Sequence, residues 1–341
     1  MERPAPGDAA TIAGMRAIAI TSFGGPDVLK LVERPAPQPS RGEVRVRVHA
    51  AGVNRADLLQ RMGRYPAPPD VPADVPGLEF AGEVDATGDG VTEYRPGDRV
   101  FGLVGGGAYA ESLVVHARAV ARIPDALDFA AAAAIPEAFI TAYDAMIDQA
   151  RLGAGDVVLV SAVGSGVGTA AIQIARAVGA RSIGTARTAD KLERARNLGL
   201  DHGLVPEEGR FAAAVLELTG RRGADVVVEL VGGPYVKEDL DCVALRGRIV
   251  VVGLLAGSAV ELEFGKLLYK RVTIAGTSLR ARPLEEKIAV AQTFARHVVP
   301  LFAANKLAAV VDRVFPLAEA PSAHAYMASN QGFGKVVLDC S

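Results

Sequence analysis

The sequence predicts an α/β chain in which a doubly wound parallel sheet is inserted into a β-rich domain. Three observations lead there. From residue 15 to about 138, short alternating apolar segments are separated by turn residues, the pattern of half-buried strands in a barrel-like region. From about 139 to 280, continuous Val/Ile/Leu runs alternate with segments of helix length, which suits a parallel sheet covered on both faces. Residues 281–341 then supply a helix over 283–305 and a strand–helix–strand ending at 335–339.

In order, the first region places strands at 15–21, 43–51 and 77–87, with the turn Pro96-Gly97-Asp98 leading into another at Arg99-Val100. The second region places strands at 157–161, 181–186, 226–231, 248–253 and 271–276. The residues before Met15 are rich in Ala, Pro and Gly and lack the apolar core of a signal peptide, so 1–14 read as a flexible extension. The expected domains are therefore 15–138 together with 281–341, and 139–280 between them.

The most telling local feature is the run from strand 157–161 through Ala162-Val163-Gly164-Ser165-Gly166-Val167-Gly168 into a helix over 167–178. Glycines lack the Cβ that keeps a backbone away from a phosphate, and the helix start offers unpaired N–H groups and a positive dipole end. The spacing departs from G-x-G-x-x-G, since position 169 is Thr. A turn of this kind also packs a helix on a sheet with no ligand. The strand at 181–186 closes a βαβ unit, which points to a Rossmann sheet that binds a dinucleotide.

The end of that second strand bears on which dinucleotide. An NAD site needs an Asp or Glu about twenty residues beyond the last glycine, for the ribose 2′-OH. This chain reads Thr185-Ala186-Arg187-Thr188-Ala189-Asp190-Lys191. A cation and hydroxyls suit a 2′-phosphate, so NADPH is the expected cofactor. Asp190 is expected to cap a helix beginning near Lys191. Arg187 and Lys191 can also be read as ordinary solvated surface charge.

Composition narrows the classes. Net charge is −2, which suggests neither nucleic acid nor an anionic membrane surface as a partner. No apolar run has bilayer-spanning length. Cys242 and Cys340 are the only cysteines, so no disulfide framework is implied and a cytoplasmic location is expected. The five histidines are scattered with no pair at ligand spacing.

Several further motifs recur at matching separations. They are Asn54-Arg55-Ala56-Asp57-Leu58-Leu59-Gln60-Arg61-Met62-Gly63-Arg64-Tyr65, Ile135-Pro136-Glu137-Ala138 with Thr141-Ala142-Tyr143, the glycine turn, and Gly334-Lys335-Val336-Val337-Leu338. With these the chain resembles the medium-chain dehydrogenase/reductases from Met15 onward. The resemblance is strongest to the zinc-free quinone oxidoreductase branch, in particular the p53-inducible quinone oxidoreductase-like group. It implies that the β-rich domain is GroES-like and catalytic, and that a strand near 271–276 pairs with its twin in a homodimer.

In zinc alcohol dehydrogenases of that family a Cys and a His help to hold the catalytic ion. Those positions fall on Asn54 and Leu78 here, and no cysteine lies in 101–108, where a structural zinc lobe would stand. No metal is expected. Hydride transfer to a simple ketone builds an alkoxide and needs a Lewis acid or proton donor. A quinone delocalises the charge and gains aromaticity, so orientation and a dry pocket suffice.

The resemblance implies roles for single residues. Asn54 and Tyr65 are the candidates beside nicotinamide and substrate, although Tyr65 also fits plain core packing. Arg55 and Asp57 can equally form a local salt bridge, and Glu79 reads as a buried structural acid. Backbone of Ser165, Gly166, Val167 and Gly168 is expected at the pyrophosphate, and Thr141 beside the nicotinamide. Thr185, Arg187, Thr188 and Lys191 are expected around the 2′-phosphate. Gly253, Leu254 and Leu255, with Thr277, Ser278 and Leu279, are expected at the nicotinamide ribose and carboxamide. Lys335 is expected to close the cleft near the phosphates. The tyrosine that many relatives carry some way beyond Lys191 is missing from Leu204-Val205-Pro206-Glu207-Glu208.

The expected activity is transfer of hydride or electrons from NADPH to a quinone in the interdomain cleft. An enone or enoyl reductase using NADPH is the alternative, and a non-catalytic NADPH-binding protein is a third reading.

Overall fold

The computed structural model describes residues 14–341. Gly14, expected in the N-terminal extension, instead opens β1 (Gly14–Ile20), which pairs antiparallel with β2 (Leu29–Pro35). The rest of the expected extension lies outside the described residues.

The β-rich part follows as β3 (Glu43–Val53), β4 (Glu79–Thr87), β5 (Arg99–Leu103), β6 (Ser112–His116) and β7 (Val120–Arg122). Between β3 and β4 comes α1 (Arg55–Arg61), and after β7 come α2 (Phe129–Ala133) and α3 (Pro136–Tyr143). Alternating Val44, Val46 and Val48 of β3 turn inward, as the period-two pattern requires.

The second sheet holds β8 (Val157–Val160), β9 (Arg181–Thr185), β10 (His202–Leu204), β11 (Ala224–Glu229), β12 (Val243–Val251) and β13 (Thr273–Gly276). Its order is β10-β9-β8-β11-β12-β13 with every pair parallel. The order reverses between β8 and β11, and in open parallel sheets ligands bind at the strands' carboxyl ends beside that reversal. All four residues of β8 are buried, which is why its sequence is an unbroken apolar run. α4 (Gly166–Val178) leaves β8, and α5 (Ala189–Asn197) joins β9 to β10.

The chain then returns to its first sheet. β14 (Val311–Pro316) pairs parallel with β15 (Lys335–Asp339), and β15 pairs antiparallel with β3. One apolar core crosses from sheet to sheet, with Phe101 of β5, Phe139 of α3, Ile172 of α4 and Val158 of β8 in the same cluster.

Several boundaries differ from expectation for local reasons. The helix expected over 283–305 is two, Leu284–His297 and Val299–Ala303, because Pro300 has no N–H to continue the ladder. The strand expected at 271–276 starts at Thr273, since Arg271 adopts a left-handed φ of 53° after the helix Phe264–Lys270. The strands expected at 226–231 and 248–253 end at Glu229 and Val251, leaving Gly253 in a loop.

Candidate functional site

The glycine turn leaves β8 and starts α4 at the sheet's carboxyl edge. Ser165 stands at the N-cap, its hydroxyl accepting from the Gly168 N–H at 3.0 Å. A Cβ at Gly168 would lie 2.6 Å from the Ala162 carbonyl oxygen and 2.7 Å from Val163 Cα, so this glycine lets helix and turn pack closely. A Cβ at Gly166 would lie 2.5 Å from Lys335 Cδ. Gly166 and Val167 open the helix, where no carbonyl one turn earlier can take their N–H groups. Those donors and the helix dipole fit a pyrophosphate.

At the end of β9 the Thr185 hydroxyl is buried and accepts from Ala162 N–H at 3.4 Å. The Arg187 guanidinium and the Lys191 ammonium both donate to the Asn330 carbonyl oxygen, at 3.0 and 2.7 Å. From α1, Arg55 donates to Asn330 Oδ1 at 2.5 Å and to the Met327 carbonyl at 3.3 Å. Burial, with Arg187 close by, lowers the pKa of both Arg55 and Lys191. The expected Arg55–Asp57 pair is absent, since Arg55 turns to Asn330. Asp57 instead accepts from Asn54 N–H, Gly77 N–H and the Tyr109 hydroxyl, at 2.8, 3.1 and 3.0 Å. Nor does Asp190 cap a helix from Lys191, because α5 starts at Ala189 with Thr188 at its N-cap position.

Asn54 is only 7 % exposed and its amide is already engaged. Its Nδ2 donates to Glu79 Oε1 at 2.9 Å and to the Gly52 carbonyl at 3.4 Å, while its Oδ1 accepts from Lys335 Nζ. Lys335 Nζ also lies 2.6 Å from Glu79 Oε1, a pair almost without solvent contact. The Lys335 stem therefore rests on the turn at Gly166, but its ammonium points away into the network of Asn54 and Glu79. Desolvation is the reason: a buried ammonium must meet a carboxylate. Glu79 is fully buried, in keeping with a structural acid, and its Oε2 accepts from Glu137 N–H at 2.8 Å.

Glu137, one turn before Thr141 on α3, carries the acid in this group that has no donor to its carboxyl among the described residues. Burial raises it to about 7 against the pull of Lys335, with Glu79 and Asp57 adding to the rise. Asp57 is raised to about 6 by burial despite its three donors.

The Tyr65 hydroxyl lies 3.3 Å from Ser278 Oγ. Arg280 stacks over the Tyr65 ring at 5.0 Å and donates to the Gly105 carbonyl and to Gln60, which fixes the loop before Tyr65. Thr277 donates to Asp144 Oδ2 at 2.7 Å, and Arg282 pairs with the same oxygen at 2.9 Å. Asp144 opens a π-wound turn, Asp144–Gln149, at the end of α3. Thr141 is buried one turn earlier on α3.

A cavity of about 380 Å³ lies at the carboxyl ends of β12 and β13, lined by Val251, Val252, Leu254, Gly276, Thr277 and Ser278. A Cβ at Gly253 would lie 2.3 Å from the Leu230 carbonyl oxygen. Leu254 and Leu255 are more than half exposed, whereas Leu279 is buried. A second cavity, lined by Arg45, His49 and Asp85 among others, shares no lining residue with the glycine turn.

The structure thus joins Asn54 to Lys335, Tyr65 to Ser278, and Arg187 to Lys191. Sequence reasoning missed the reach of Arg55, the Asp144–Arg282 anchor, Arg280 and the free acid Glu137. Two arginines, Arg280 and Arg282, within three residues of Leu279 were the available signal for the anchor.

Comparison with known proteins accords with this arrangement. Residues 40–125 match the alcohol dehydrogenase GroES-like domain, and residues 166–296 match the zinc-binding dehydrogenase family. The chain is 33% identical to the human quinone oxidoreductase over 331 residues, covering 95% of this chain and 97% of that protein. This protein belongs to the medium-chain dehydrogenase/reductase family. A Pseudomonas syringae pv. tomato quinone oxidoreductase superposes with a TM-score of 0.84 at 31% identity, covering 95% of this chain and 99% of that one. A mycobacterial protein solved with NADPH and the CurK enoyl reductase also reach 0.84, at 30% and 27% identity and the same coverage.

Like those relatives, this dehydrogenase/reductase combines a GroES-like domain with a Rossmann-like parallel sheet. Among the described residues no group of three or more His, Cys, Asp or Glu could hold a metal ion. No helix among them is long and apolar enough to cross a membrane.

Proposed function

We propose that this family member is an NADPH-dependent quinone oxidoreductase. The observation that carries the cofactor is the convergence of Arg187 and Lys191 at the end of β9, with no carboxylate in the place an NAD ribose would need one. Bound NADPH supplies a hydride from its nicotinamide. The chain's own residues do the remainder. Gly166 and Val167 N–H groups hold the pyrophosphate, and Arg187, Lys191, Thr185 and Thr188 surround the 2′-phosphate. Thr141, Gly253, Leu254, Leu255, Thr277, Ser278 and Leu279 frame the nicotinamide half, where the Asp144–Arg282 pair holds Thr277 in place.

The acceptor lies between Asn54 and Tyr65. The Tyr65 hydroxyl can leave Ser278 for a quinone oxygen, and the weakly held second N–H of Asn54 can do the same. Asn54 and Leu78 offer no thiolate or imidazole, so the donor set favours an acceptor that is already activated. The names of the relatives support a quinone. An enone or enoyl thioester is the second reading, favoured by the likeness to the CurK enoyl reductase.

A homodimer in the cytoplasm completes the proposal. β13 is the last strand of its sheet, and the neighbouring helix Phe264–Lys270 leaves Phe264, Leu268 and Tyr269 at least 70% exposed. The 139–280 boundary proposed for the cofactor domain falls within α3.

The test is steady-state turnover with NADPH and NADH on quinones, 2-alkenals and enoyl thioesters. Wild type is expected to prefer NADPH and quinones, and Arg187→Glu to lower the NADPH/NADH ratio of kcat/KM by roughly a hundredfold, since a cation is replaced by a repelling charge. An unchanged ratio refutes the 2′-phosphate site. Rapid turnover of enals with none of quinones refutes the acceptor.

A further inference from the structure

We propose that Arg55, reaching over from α1, is a third ligand of the cofactor's 2′-phosphate, so that the phosphate is gripped from both sides of the cleft. The inference rests on the NADPH reading and adds the residue that closes the site. Arg187 and Lys191 belong to the parallel-sheet part of the chain, at the end of β9 and on α5. Arg55 belongs to the β-rich part, as the first residue of α1 and the neighbour of Asn54.

All three cations meet at one residue, Asn330. Its carbonyl oxygen takes Arg187 and Lys191, and its Oδ1 takes Arg55. Asn330 is held there by a left-handed φ of 57° at the end of the helix Ala320–Ser329, a conformation asparagine tolerates.

The charges at this point do not balance. Among the described residues none of the three cations ion-pairs with a carboxylate. The nearby acid Asp312 pairs instead with Arg194, at 3.6 Å, and accepts the Tyr326 hydroxyl at 2.7 Å. Two partly buried cations, Arg55 and Lys191, and the exposed Arg187 converge on neutral amide oxygens and repel one another. Burial, and after it the charge of Arg187, lowers the pKa of both Lys191 and Arg55, while Asp312 and Asp190 pull Lys191 the other way. A phosphate dianion offers three acceptor oxygens to the same donors and removes the repulsion. Lysine and two arginines, one from across the cleft, suit the tetrahedral anion better than a ribose hydroxyl.

Cofactor discrimination would then be tied to the geometry of the active end. Arg55 follows Asn54 directly, so a phosphate that anchors Arg55 also anchors the start of α1.

The experiment is calorimetric titration of the cofactor-free protein with 2′,5′-ADP, which carries the 2′-phosphate, and with 5′-AMP, which lacks it. Wild type, Arg55→Gln, Arg187→Gln and Asn330→Asp are compared. Arg55→Gln is expected to weaken 2′,5′-ADP roughly tenfold, the worth of one charge-assisted hydrogen bond, and to leave 5′-AMP unchanged. Asn330→Asp, which sets a competing carboxylate among the cations without removing any, is expected to weaken 2′,5′-ADP by a similar factor. Turnover should follow, with KM for NADPH raised.

If Arg187→Gln weakens 2′,5′-ADP while Arg55→Gln and Asn330→Asp do not, Arg55 is no ligand and the NADPH reading stands. Equal losses for both nucleotides would make Arg55 a structural residue and overturn the proposal. If wild type binds the two nucleotides alike, the NADPH reading itself fails and carries the proposal with it.

Discussion

At the Asn54 end of the cleft the single buried ammonium, Lys335, lies against a carboxylate and an amide that are themselves hydrogen-bonded. At the Arg187 end three cations share the neutral oxygens of one asparagine. The first arrangement balances its buried charge without a ligand and is expected to be rigid. The second has more positive charge than its neighbours neutralise, which is the electrostatic condition of an anion site. The difference teaches where to look for ligand response: substitutions at the closed end should act on stability, and those at the open end on cofactor choice.

The largest expected effect lies at the closed end. Lys335→Met strands Glu79, fully buried, without its cation. Breaking one side of a buried pair costs about 3–5 kcal/mol. Urea denaturation of the cofactor-free protein measures it. Adding Glu79→Gln to Lys335→Met removes the stranded charge and is expected to restore most of the loss. A single variant as stable as wild type would break the comparison, because the closed end would then not depend on its internal charge balance.

A smaller effect concerns pH. Glu137 and Asp57 have folded values of about 7 and about 6, above the ordinary carboxylate range. A carboxyl raised in the folded state binds its proton more tightly there than in the unfolded chain. Its contribution is therefore fully present below the unfolded value, near 4, and is lost as pH rises through the folded value. Melting temperature of the cofactor-free protein is expected to fall between about pH 4 and about pH 7, and Glu137→Gln to flatten that fall. A variant with the wild-type slope would show that Glu137 keeps no proton in the closed end.

How much of this was readable from the sequence follows the same division. β8, the glycine turn and α4 were legible because one buried apolar strand, three glycines and a periodic helix lie in succession. Arg187 and Lys191, which the structure brings to one carbonyl oxygen, were singled out by the chemistry of a single position after β9. Asn54 was singled out as a candidate, but its amide direction was not foreseen, since Glu79 and Lys335 come 25 and 281 positions away along the chain. The Lys335 ammonium was misplaced for the same reason: its stem touches the expected turn, and only the buried carboxylate beyond explains where the charge goes. Arg55 was read against Asp57, two residues on, while its partner Asn330 lies 275 positions away. Local spacing carries local pairs well. It carries nothing about which distant carbonyl a long cation will meet.

The smallest effect sits at the pivot between the two ends. Ala162, at the start of the glycine turn, adopts a φ of 47°, a left-handed conformation that costs a residue with a Cβ about 1–2 kcal/mol. Its N–H bonds the Thr185 hydroxyl, and Val163 N–H bonds the Thr185 carbonyl at 2.9 Å, so the turn's path is imposed by β9 and not by the alanine. Glycine removes the strain but enlarges the freedom of the unfolded chain, worth about 0.4–1 kcal/mol in the opposite sense. Ala162→Gly is therefore expected to stabilise by about 0.5 kcal/mol and to leave binding of 2′,5′-ADP unchanged. Urea denaturation and the same calorimetric titration read the two quantities. If the variant were less stable and also bound the nucleotide more weakly, the alanine methyl would be holding the phosphate turn in shape. The open end would then depend on packing at its base as well as on its three cations.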